Sequence, residues 1–145
     1  MTAEIAPMRK QYHSRMSNGR RLVWDIDKLV QLAGSLPVAE FPLSRIREMD
    51  EDYWFQAGGP TPTCRAVMEH AQLINAVDLG YPIILCPQGR VMDGMPRVAR
   101  AALLGMKNIR ARRFLEMPKP DFIDVELESL GEAERFLDIS PRSDR

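Results

Sequence analysis

Residues 79–114 constrain the fold more than any other part of the chain, because glycine and proline cut them into short pieces. Pro82-Ile83-Ile84-Leu85 is a brief, mostly β-branched run bounded by turn residues, and reads as a buried strand. Pro87-Gln88-Gly89 turns the chain, and residues 90–93 return as a second strand. After Gly94, residues 96–104 read as a helix that Gly105 ends, and residues 108–115 as a further strand. In that last strand Ile109 and Ala111 face one side while Arg110 and Arg112 face the other. Such closely spaced strands and a single helix demand a small layered fold.

The rest of the chain adds elements of both kinds. Residues 1–20 are polar, basic and without period, and are expected to be a flexible arm. Residues 22–33 lead from a short strand or turn into a helix with Ile26, Leu29, Val30 and Ala33 on one stripe, stopped at Gly34. Residues 37–43 carry two prolines and suggest an edge strand, and residues 44–49 a helical turn. Thr61 and Pro62 suit N-cap and N1 of a helix running to about Leu79, with Ala66, His70, Leu73 and Val77 on its apolar face and Gly80 after its end. Helices and strands mix without strict alternation, so the expected class is α+β, a small mixed sheet with helices packed on it. The domain is expected over residues 21–115, followed by an acidic tail over residues 116–145 that packs on it and holds a last helix at residues 131–137.

At 145 residues and 45% apolar composition, this is a chain long enough for one folded domain with a real core. No apolar run approaches the ~20 residues that cross a bilayer, and the N-terminus lacks the apolar centre of an export signal, so a cytoplasmic protein without membrane partners is expected. Two cysteines, Cys64 and Cys86, argue against a disulfide framework and are read as structural. Net charge is zero, but between residues 83 and 115 seven Arg or Lys residues stand against Asp93 alone, and acids dominate from Glu116 onward. That pattern fits an anion site with a tail folded over it, and equally a solvated surface whose halves neutralise each other.

The turn Asp93-Gly94-Met95-Pro96-Arg97 concentrates groups suited to an anion. A helix N-terminus offers backbone N–H groups and positive dipole, and a glycine lets an anion approach closely. Pro96 suits N1, and Arg97 and Arg100, three residues apart, can lean to one side and grip a phosphate. Asp93 can cap the helix or hold magnesium beside that phosphate. Upstream, Tyr53-Trp54-Phe55 sits in a Gly/Pro-rich connection, with Tyr53 and Trp54 expected to form a lid or to pack on the core.

The succession from Leu79-Gly80-Tyr81-Pro82 through Asp93-Gly94-Met95-Pro96-Arg97 to the strand ending at Phe114 resembles the ParB-like domain of the ParB/sulfiredoxin superfamily, most closely its small stand-alone members with a D-G-x-H-R motif. The resemblance covers residues 35–115 and is strongest at 79–114. It implies that Gly94, Met95, Arg97 and Arg100 surround phosphate, and that Gly80, Tyr81 and Pro82 border the base. His70 either lines the same cleft or is a core histidine. Three positions depart from the pattern: Pro96 replaces the usual His or Arg, Arg100 replaces a small residue, and Met95 stands where sulfiredoxin has its cysteine. The last removes the reductase reading.

The expected function is nucleotide or phosphate binding, with CTP, ATP or ADP and magnesium as cofactors, and with nucleotide hydrolysis or phosphotransfer as the candidate reaction. His70, Asp93 and Glu69 are candidate bases. One alternative is a binding or regulatory module that has lost catalysis, which Pro96 favours. Another is a DNA-associated, partition-like or nuclease-like protein using residues 109–113, against which the acidic tail argues. A homodimer is compatible with either.

Overall fold

A computed structural model describes residues 10–125. The chain enters through a β-hairpin, β1 (Tyr12–Ser17) and β2 (Arg20–Asp25), closed by a two-residue turn. Asn18 and Gly19 both have positive φ there, 52° and 76°, which is the turn geometry that twists with its strands. Asp25 then caps α1 (Ile26–Ala33), its side chain accepting from the N–H groups of Asp27 and Lys28. The helix buries Ile26, Leu29 and Ala33, the stripe the sequence predicts.

The central sheet is built from β3 (Ala39–Pro42), β4 (Ile83–Leu85), β5 (Val91–Asp93) and β6 (Asn108–Arg113), in the order β3-β6-β4-β5. β3 lies at an edge, where its proline costs no ladder bond. β4 pairs antiparallel with β5 and parallel with β6, so the helix between β5 and β6, α3 (Met95–Leu103), forms the crossover. Side chains alternate across β4. Ile83 and Leu85 join Val98 and Ala101 of α3 on one face, while Ile84 and Cys86 join Trp24 and Leu29 on the other. The fold is thus a mixed α+β arrangement, with α3 on one side of the sheet and α1 with the hairpin on the other.

Several boundaries differ from expectation. Residues 12–17, expected within a flexible arm, form β1, because the Asn18-Gly19 turn folds them onto β2 and Tyr12 packs edge-on against Phe122. The acidic segment contributes a strand, β7 (Phe122–Ile123), beside β2, so its first ten residues belong to the body of the domain. The helix expected from Thr61 to Leu79 is shorter, α2 (Cys64–Ala76). Thr63, not Thr61, supplies the cap through its Oγ1 to Ala66 N. Its exit is set by Asp78, whose Oδ1 accepts the Gly80 N–H in a local turn. The helix expected at residues 131–137 lies outside the described residues.

Candidate functional site

β5 and α3 meet at Gly94, the N-cap residue of α3, which has φ of +111°. A Cβ at this position would lie 2.7 Å from both Ile83 Cγ2 and Arg97 Nη2. Glycine is therefore required twice, by conformation and by close packing of the protein on itself. Asp93 Oδ2 lies 3.4 Å from Arg97 Nη2. The N-cap residue is Gly94 itself, and Asp93, one residue before it, forms an i,i+4 ion pair with Arg97. The helix begins at Met95, which places Pro96 at N2 rather than N1.

In front of this turn lies a cavity of about 710 Å³. Asp93, Gly94 and Met95 form one wall, and residues 12–16 of β1 form another. The connection at residues 51–60, with Tyr53 and Trp54, forms the third, and Glu48 and Arg90 also border the space. This volume lies within the usual range of small-molecule sites.

Five sequence-predicted residues meet here: Asp93, Gly94, Met95, Tyr53 and Trp54. Others do not. Arg97 is 1% exposed and lies behind the turn against Gly94. Arg100 donates to the Asn75 carbonyl at the end of α2, so the two arginines diverge instead of leaning together. Gly80, Tyr81 and Pro82 are absent from the cavity wall; the Gly80 carbonyl accepts from Arg110, and Tyr81 is 55% exposed. His70 stands behind the aromatic connection, its ring 4.9 Å from that of Trp54 and 5.1 Å from that of Phe55. Burial pushes its pKa down, against the weaker opposing charge of Glu69, so it is a neutral platform under the aromatics.

The sequence gives little notice of the remaining wall residues. Arg15 donates to His13 Nε2 at 3.2 Å from Nε, stands 5.7 Å above the Trp24 ring, and reaches Cys86 Sγ at 3.7 Å. Burial and the Arg15 charge drive His13 down to about 3, which keeps it neutral with Nε2 as acceptor. At Cys86, burial pushes the thiol up, but Arg15 and the N–H groups of Arg90 and Gln88 together outweigh it and leave its pKa lowered. Arg90 binds Glu51 through two bonds of 2.9 and 2.7 Å, and these bonds, helped by its charge, hold the Glu51 carboxyl below the usual range. Nothing local in the sequence announces this ion pair, since its partners lie 39 residues apart.

The arginine-rich strand β6 spends its guanidinium groups on the protein's own carbonyls. Arg110 donates to Gly80, Arg112 to Gly34 and Leu36, and Arg113 to Pro87. Among the described residues no group of three metal-ligating side chains occurs, and no helix is long and apolar enough to cross a membrane. Comparison with family models, with curated proteins and with solved structures finds no match.

Proposed function

We propose that this chain is a ParB-like domain that binds a nucleotide phosphate at the Asp93-Gly94-Met95 turn. One observation carries the reading: the helix start of α3 and the aromatic lid face a common cavity of nucleotide size. The N–H of Met95 sits in the first turn of α3, where the helix dipole favours an anion, and Arg15 and Arg21 border the same space. Tyr53 and Trp54 border the space and supply aromatic rings that a base could meet. Magnesium binds through one or two carboxylates plus phosphate oxygens and water, so Asp93 beside the turn suits it without a dedicated cluster.

The positions of the candidate bases favour binding over turnover. His70 lies behind the lid and off the cavity wall, and Asp93 is paired with Arg97. A regulatory module that senses a nucleotide is therefore the second reading, with hydrolysis or phosphotransfer as what turnover assays would reveal.

A thermal-shift panel of CTP, ATP, ADP and GTP, with and without magnesium, tests the proposal. Ligand at a hundred times Kd adds about 2.7 kcal/mol, a rise of roughly 5–10 °C for a domain of this size. Arg21→Ala, which removes a wall charge from β2, the middle strand of the three-stranded sheet, is expected to reduce that rise. Absence of a shift with every nucleotide overturns the reading.

A further inference from the structure

Glu48 lies on the cavity wall and is 4% exposed. Its Oε2 accepts the Val91 N–H at 2.7 Å and stands 3.3 Å from Arg90 Nε. Its Oε1 is buried and has no hydrogen-bond partner among the described residues. Trp54, another wall residue, holds a buried Nε1 donor in the same condition. Buried polar atoms of this kind are costly to leave unsatisfied, and the two residues that carry them border one cavity.

Building on the nucleotide-binding reading, we propose that Glu48 Oε1 accepts a hydrogen bond from the nucleoside part of the ligand. The donor is a base amino group or a ribose hydroxyl. An ionised carboxylate only accepts hydrogen bonds and phosphate oxygens offer no donor, so Glu48 Oε1 suits the donor-bearing nucleoside end of the molecule. The strand supplies the separation from the α3 turn. Glu48 holds the amide of Val91 at the start of β5, and Gly94 follows three residues later, about 10 Å along an extended chain. The same segment that carries Glu48 continues directly into Tyr53 and Trp54, which places an acceptor and ring faces together. Carboxylates read amino groups on base edges, and aromatic faces stack on bases.

Calorimetric titration of the full chain separates the possibilities. Probes are inorganic tripolyphosphate, CTP, UTP and 2′-deoxy-CTP, with ATP, ITP and 2′-deoxy-ATP as a matched set. Glu48→Gln is expected to weaken the better-bound of CTP and ATP about 10- to 100-fold, while tripolyphosphate binds as well as before or better. With the wild type, weaker UTP or ITP assigns the donor to the base, and a weaker deoxynucleotide assigns it to the ribose. The corresponding preference disappears in Glu48→Gln. Equal losses for nucleotide and tripolyphosphate, or no loss at all, overturn the inference while leaving nucleotide binding intact. Should Glu48→Gln fail to fold, equal wild-type affinities across each matched set overturn it instead. Binding of none of these probes overturns the inference and the underlying reading together.

Discussion

His13 shows how a single side chain ties the cavity wall to acidity. Its ring stacks on Trp24 with centroids 5.6 Å apart and receives Arg15 on Nε2, and both burial and that cation disfavour a second proton. In the unfolded chain it titrates near the ordinary histidine value of about 6.5, whereas in the fold its pKa falls to about 3. The lowered folded-state value means the stabilisation is complete above pH 6.5 and is lost as pH falls from there toward 3. Urea midpoints measured at pH 7.5 and 5 should therefore fall less in His13→Gln than in the wild type. The interval above pH 5 keeps most carboxylates ionised, so the difference between the two proteins reports the imidazole.

Among the elements, the two capped helices differ in what their caps support. Asp25 accepts two N–H groups at the start of α1 and pairs with Lys10 at 2.9 Å, and the helix it opens buries three residues against Trp24 and Ile84. Thr63 accepts one N–H at the start of α2, which has no buried residue. Thr63→Ala should cost about 1 kcal/mol, near the middle of measured cap losses. Asp25→Ala should cost more, about 2 kcal/mol, because the loss is transmitted to a buried helix. Chemical denaturation of the two variants checks the order, and equal losses would show that the cap of α1 acts alone. The elements around the sheet were legible in the sequence because glycine and proline mark their ends and β-branched residues fill them. β1 was not, since its residues border a polar cavity and carry no apolar alternation, although Asn18-Gly19 is a hairpin signal in its own right. Glu48 was hidden for another reason. It sits in a run of charged residues that reads as surface, and its burial is decided by the amide of Val91, 43 residues away. The burial of Arg97 was equally hidden, since only the fold packs it, 1% exposed, behind Gly94.

At the scale of the molecule, one sheet separates two apolar cores, and the segment over residues 115–125 fastens the hairpin to the second of them. Trp24 Nε1 donates to the Pro118 carbonyl at 2.9 Å, and the Asp25 N–H reaches Asp121 Oδ2 at 2.8 Å. Asp121→Ala leaves that N–H without its acceptor and removes the Lys28 pairing, a loss of about 1–3 kcal/mol. In a Trp54→Phe background, where Trp24 is the sole tryptophan, its emission should shift at lower urea concentration once Asp121 is replaced. An unchanged midpoint would show that the segment merely lies on the hairpin.

That fastening also sets an order in time. β1 and β2 leave the ribosome before the other described elements and can pair at once across their two-residue turn. Trp24 must wait 94 residues for Pro118, and Asp25 must wait 96 for Asp121. At about 5–20 residues per second of synthesis, the wall of the cavity stays provisional for roughly 5–20 s. A ligand that needs this wall can be held only after the chain's last described strand has emerged.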